Sequence, residues 1–290
     1  MKKAFLQLHI AVFLAGFTAI LGRLIQLNEG LLVWYRLLFS IVILGIGLMY
    51  KKQLQKITWL QFRQITGVGF ILAFHWLTFY ASVKYANASV AVVCLSAAGF
   101  YTALLEPVLF RRKIRVTEFM LGLVSVAGIY IIFDFHPQYQ TGIIFGMISS
   151  LGSALFPIYN KRLLRKIKPA SLTFYEFTGG FVMLSFLLPA YFYFFTPTYY
   201  APTQVDLIWL MALVLFCTIL AFALQLSALT RITAFTSNLT YNLEPVYGIL
   251  LAFIFLGEGG MVNWQFYIGL LLIVFSIACQ MLLVFRKAGK

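Results

Sequence analysis

Glu244 stands about eleven residues inside a long apolar run, roughly 16 Å along a helix at 1.5 Å per residue. A carboxyl at that depth in hydrocarbon is costly, so it is expected to bind a proton or the transported solute. Thr236 and Thr240 precede it at four-residue steps and would share its helix face. Asn238 and Asn242 form a second polar stripe beside Tyr241. Pro245 then removes one helical hydrogen bond and leaves a carbonyl free to face a cavity. A solute or proton pathway is the reading preferred here. A structural role, with Glu244 protonated or bonded to neighbouring helices, stays open.

Two further groups could join it. Arg36 lies about six residues inside another apolar run, roughly 9 Å deep, from where it could snorkel outward or reach toward Glu244. An ion pair or carbonyl clamp is the equal alternative. His75 is close to the middle of a third run and, with Trp76, Phe79 and Ser82, could line a cavity and relay a proton; simple hydrogen-bonded packing is the alternative. Glu176 approaches from the opposite face to Arg36, which argues against their pairing. Glu106, five residues before an Arg cluster, is expected at an interface. Glu106, Glu176, Pro157 and Pro245 are candidate gating positions, and Gly142, Gly146, Ser149, Ser150 and Ser153 make a small-residue face for close helix packing.

These residues need positioning by membrane helices. The chain of 290 residues is 62% hydrophobic and 10% charged, with a mean hydropathy of +0.93. Soluble domains are roughly 45–50% apolar and about 25% charged, so a soluble protein is excluded. Ten apolar runs of about spanning length are predicted near 4–22, 30–50, 64–83, 86–110, 116–134, 141–159, 171–195, 206–229, 233–256 and 263–285. The first, although preceded by Lys2 and Lys3, reads as a span because no cleavage site follows it. Trp59, Trp209 and Trp264 fall at span ends, where interfacial anchors belong.

The net charge of +14 comes from 22 Lys and Arg against 8 Asp and Glu. In a soluble protein that excess would bring nucleic acid to mind. Here the cations cluster near Lys2, Lys51–Arg63, Arg111–Arg115, Lys161–Lys168, Arg231 and Arg286–Lys290. Ten spans with both termini cytoplasmic put all of those clusters on one face and leave Arg23 and Lys84 on the other.

A shift of 146 residues repeats the order of long span, short break and span, bringing Ala88 onto Ala234 and Leu104-Leu105 onto Leu250-Leu251. Two five-helix halves, 1–136 and 137–290, are expected. Five is odd, so the second half enters the membrane from the opposite side, and such inverted repeats recur in secondary transporters. The tract from Ala234 to Glu258, with its Pro245, long apolar run and closing Gly257-Glu258, resembles the ninth-helix signature of EamA-like proteins of the drug/metabolite transporter superfamily. Gly99-Phe-Tyr-Thr-Ala-Leu-Leu is a weaker first-half copy, with Gly99 for the Pro and Arg111-Arg112 for the Gly-Glu. Arg36 after Trp34-Tyr35 matches that family's second-helix Arg. The resemblance implies an all-α membrane protein of ten transmembrane helices as two inverted repeats, in a bacterial inner membrane, carrying amino acids, metabolites or other small solutes.

Other classes fit less well. His9, His75 and His136 form no H-E-x-x-H motif, and no Gly-rich phosphate loop is present, so an enzyme is not expected. Cys94, Cys217 and Cys279 are scattered in apolar runs and read as packing residues, with no metal or cofactor expected. The expectation is a secondary transporter exporting small metabolites or amino acids by alternating access, with protons and the lipid bilayer as its other partners and no nucleic acid. A passive channel or facilitator is the alternative.

Overall fold

The computed structural model describes residues 2–111, 113–134, 137–232, 237, 240–241, 243–261 and 263–288. Among them the secondary structure is helical. The helices are α1 (Lys2–Leu24), α2 (Glu29–Tyr50), α3 (Trp59–Tyr85), α4 (Ala88–Leu95), α5 (Ala98–Phe110), α6 (Val116–Asp134), α7 (Gln140–Leu163), α8 (Pro169–Phe194), α9 (Gln204–Val214), α10 (Ala221–Leu229), α11 (Glu244–Leu256) and α12 (Trp264–Ala288). A π-helical turn, Leu215–Leu220, joins α9 to α10. Counting Ala88–Phe110 and Gln204–Leu229 each as one run, seven helical segments are long and apolar enough to cross a membrane. Shorter apolar stretches lie at Val116–Ile132, Glu244–Leu256 and Trp264–Cys279.

Local chemistry explains the helix starts. Asn28 accepts the Gly30 amide at 2.8 Å and opens α2. Thr58 and Gln61 form a reciprocal capping box, which starts α3 at Trp59, upstream of the position expected from hydropathy. Thr203 and Asp206 do the same for α9. The buried Asp206 carboxylate also accepts the Gln26 amide at 2.7 Å and the Tyr199 hydroxyl at 2.9 Å, tying the α1–α2 loop to α9.

Two of the expected spans are broken rather than continuous. The run 86–110 turns at Ser96 and Ala97 before α5. The run 233–256 turns at Leu243, and α11 begins at Glu244, so this carboxyl sits at a helix start rather than deep within a helix. Pro245 accounts for the second break: it has no N–H to give to the preceding turn, and at the start of a helix that loss has no cost. The two breaks correspond at the 146-residue shift. Each is followed by a helix of 13 residues. Each helix ends in a left-handed residue, Arg111 with φ 52° and Gly257 with φ 67°.

Small residues set the closest crossings. A Cβ on Gly69 of α3 would lie 2.1 Å from the Glu176 carbonyl of α8, and one on Gly180 would lie 2.5 Å from the Gly69 carbonyl. Gly128 of α6 and Gly269 of α12 face each other in the same reciprocal way. The expected small face of α7 is used against α3 and α4: Gly146 abuts Cys94, Gly152 abuts His75, and Ser150 donates to the Leu95 carbonyl at 3.3 Å.

Candidate functional site: a central cavity around Arg36 and Glu244

A cavity of about 70 Å³ opens among α1, α2, α3, α4, α7, the α9–α10 run and the approach to α11. On the scale where one water needs roughly 10–15 Å³, it holds several. Arg36, His75, Trp76, Tyr241 and Glu244 from the expected pathway all line it. Thr18, Ser153 and Gln225 add polar atoms, and Phe79, Phe156 and Phe222 add rings.

Arg36 is 1% exposed and its guanidinium is clamped on several sides. Nε–H donates to Thr218 Oγ1 at 2.8 Å, one terminal nitrogen donates to the Tyr80 hydroxyl at 2.8 Å, and the other to the Cys217 carbonyl at 3.2 Å. The guanidinium carbon lies 3.5 Å from the centre of the Trp76 ring, a cation–π contact in a desolvated site. The π-helical turn makes the clamp available. The Ala221 amide bonds to the Phe216 and Thr218 carbonyls, so the Cys217 carbonyl is not taken by the usual amide four residues on. Room for Tyr80 comes from Gly22, where a Cβ would lie 2.4 Å from the ring.

His75 is held by α7. Its Nδ1 lies 2.8 Å from the Ser149 carbonyl, and the Ser149 hydroxyl donates to the His75 carbonyl at 3.0 Å. Both contacts are satisfied when Nδ1 carries the proton, which leaves Nε2 as an acceptor with no partner among the described residues.

Glu244 has no hydrogen-bond partner among the described residues and lines the cavity. Its charge acts on Arg36 across that space. The direct pair expected as one option is not formed: among the described residues the ion pair within 4 Å is Arg115–Glu118, at 2.8 Å. Thr240 is buried just before the break. Thr236, Asn238 and Asn242 lie outside the described residues.

The candidate gating residues are spread through the fold. Pro157 sits inside α7 between Ser153, which lines the cavity, and Asn160. Glu176 is fully buried on α8 and does not line the cavity. Glu106, beside Pro107 on α5, acts electrostatically on Arg115. Pro245 occupies the first turn of α11.

Sequence reasoning missed Tyr80, Thr218 and Gln225. The clue to Thr218 would have been its place on the same run as Cys217, but nothing in the residue pattern marks a π turn. Glu258 was named only as the close of the signature tract; its carboxylate accepts the Ala88 amide at 3.1 Å, the Ser89 amide at 2.8 Å and the Ser89 hydroxyl at 2.6 Å. With Asn87 accepting the Val90 amide at 2.7 Å, the start of α4 is fully capped, partly by a residue from the other half of the chain.

Known proteins share both the fold and the sequence pattern. A solved crystal structure, described only as that of a protein, superposes with a TM-score of 0.70 over 99% of both chains at 16% identity, a likeness of fold alone. An uncharacterized transporter of Bacillus subtilis, YetK, is 26% identical over 273 residues, covering 88% of this chain and 80% of that one. An uncharacterized transporter of Haemophilus influenzae is 26% identical over 162 residues, about half the length of each protein at 53%. The profile of the EamA-like transporter family matches twice, over residues 2–134 and 140–282. The apolar helices and this double match over nearly the whole length establish a multi-pass membrane protein, and the chain belongs to the EamA-like transporter family.

Proposed function

We propose that the chain is a secondary transporter that exports small metabolites or amino acids across the bacterial cytoplasmic membrane by alternating access. The observation that carries this reading is the unpartnered Glu244 carboxyl facing the clamped Arg36 in one cavity. That cavity lies between elements of both halves, where the site of an inverted-repeat transporter belongs. Ten spans in two inverted repeats, 1–136 and 137–290, are supported by the paired breaks, the equal helices after them and the repeated family match. Both termini face the cytoplasm because that arrangement keeps the Lys and Arg clusters inside.

In this reading Arg36, His75 and Glu244 bind the polar part of the solute, while Trp76, Tyr241 and the phenylalanines bind its apolar part. Thr240, Asn238 and Asn242 orient it from the approach to α11. Glu244 exchanges a proton for the solute, since a carboxyl buried in a small cavity with no hydrogen-bond partner among the described residues is costly to hold charged.

Counterflow in proteoliposomes with a panel of labelled amino acids and small metabolites tests the transporter reading. Saturating flux with counterflow is expected; flux linear in concentration without counterflow would mean a passive pore. Glu244→Gln should abolish the pH dependence of that flux. An unchanged pH profile would remove Glu244 from proton coupling.

A further inference from the structure

A second polar group lies outside the cavity lining, next in sequence to one ring of an aromatic cluster. Phe222 stands 5.5 Å from Phe156, 5.3 Å from Phe177 and 5.5 Å from Trp76. Phe177 does not line the cavity, and its neighbour Glu176 is fully buried. Glu176 faces Asn160 of α7, which also has no solvent exposure. The Asn160 amide lies close enough to act on the Glu176 carboxyl, yet among the described residues no hydrogen bond of good geometry reaches either carboxyl oxygen of Glu176, either amide atom of Asn160 or the Thr66 hydroxyl of α3. Thr66 is nine residues from His75, about 13 Å along α3 toward its Trp59 end.

Glu176 and Thr66 thus sit on the two helices of one glycine-tight crossing, α3 with α8, and Asn160 meets Glu176 from α7. Gly179 approaches Thr66, and Gly69 approaches the Glu176 backbone. No charged side chain from α2, α3, α7 or α10 acts on the Glu176 carboxyl among the described residues. Arg63 at this end is exposed, and Lys161 is occupied by the Leu229 and Ile232 carbonyls. A carboxylate so placed would be a bare charge in an apolar interior, so a proton is the ligand the surroundings accept. Pro157 lies between the cavity-lining Ser153 and Asn160. It cannot donate to the Ser153 carbonyl, which gives α7 a bending point between the two sites.

We propose that Glu176, with Asn160, is a proton-binding site separate from the Glu244 cavity. Its carboxyl carries the proton while α7 holds Asn160 against it, and gives it to water when α7 bends at Pro157. The release step rests on the alternating-access reading above; the binding step does not.

Infrared spectroscopy of the full chain in phosphatidylethanolamine–phosphatidylglycerol nanodiscs tests both. At neutral pH a protonated-carboxyl C=O band should be lost in Glu176→Gln and retained in Glu244→Gln. Raising the pH should remove that band in the wild type, and Pro157→Ala, which restores the helical bond, should move the loss to higher pH. A band unchanged in Glu176→Gln, or the same pH of loss in Pro157→Ala, overturns the proposal. If Glu176→Gln cannot be recovered folded, Asn160→Leu should shift the band frequency by removing its polar neighbour, and an unmoved band overturns the site. Failure of the Glu244 reading would appear instead as an unaltered flux profile in Glu244→Gln, with the Glu176 band intact.

Discussion

The Thr218 hydroxyl donates to the Leu213 carbonyl, five residues back at 2.8 Å, and so presents its lone pairs to Arg36 Nε–H, also at 2.8 Å. This fixed direction makes Thr218 an acceptor for the guanidinium and links α2 to the π turn. Arg36 is therefore positioned by a local irregularity of another helix rather than by a carboxylate.

Thr218→Val keeps the shape and removes the acceptor, leaving a buried charged N–H unpaired. It should cost about 1–3 kcal/mol, read as a lowered unfolding midpoint in detergent. Ser at this position keeps the hydroxyl and should recover most of the loss.

Arg36→Lys keeps the charge but gives up the planar fork and the stacking on Trp76. An ammonium cannot reach Thr218, Tyr80 and the Cys217 carbonyl from one position. A loss of about 2–4 kcal/mol in stability is expected, together with loss of counterflow. Counterflow equal to wild type would mean that the clamp has no part in binding.

Gly22→Ala should be far more harmful than Gly47→Ala. The new Cβ at residue 22 would strike the Tyr80 ring, whose hydroxyl is committed to Arg36; around Gly47 nothing lies within 4 Å. About 1–3 kcal/mol of destabilisation is expected at the first site. At the second, a gain of up to about 1 kcal/mol follows from helix propensity. Thermal unfolding of the two variants side by side checks both signs.

Glu258→Ala removes the cap on two α4 amides and the negative charge beside a helix start. About 1–2 kcal/mol should be lost. Hydrogen exchange should rise at Ala88 and Ser89 while α7 keeps its protection; uniform loosening of the protein would contradict a local cap.

His75 should be the Nδ1–H tautomer in the resting protein, because the Ser149 carbonyl can only accept and the Ser149 hydroxyl, also 2.8 Å from Nδ1, gives its proton to the His75 carbonyl. Nitrogen-15 chemical shifts of the labelled ring in a membrane sample distinguish the tautomers. An Nε2–H signature would reverse the assignment.

Helices were the most legible feature, since long apolar runs in a chain that is 10% charged leave few other solutions. The singular importance of Arg36, His75 and Glu244 was equally legible, because an ionisable group far inside such a run stands out against its surroundings. Their meeting at one cavity was an expectation for Arg36 with Glu244; the absence of a direct bond between them was not. Pro245 was recognised as a helix disturbance, yet read as freeing one carbonyl. The restart of α11 at Glu244, after the turn at Leu243, was not expected.

Composition and one-dimensional spacing could specify that the chain crosses a membrane and which residues are too polar for it, because these follow from solvent cost and helix period alone. Tyr80, Thr218, the Cys217 carbonyl and the capping of α4 by Glu258 belong to a different kind of information. Each joins residues from distant spans or depends on a single extra residue in a helical turn, as in Leu215–Leu220. Polar side chains of ordinary appearance become a clamp, a cap or a buried orphan only when packing selects which neighbour each will meet.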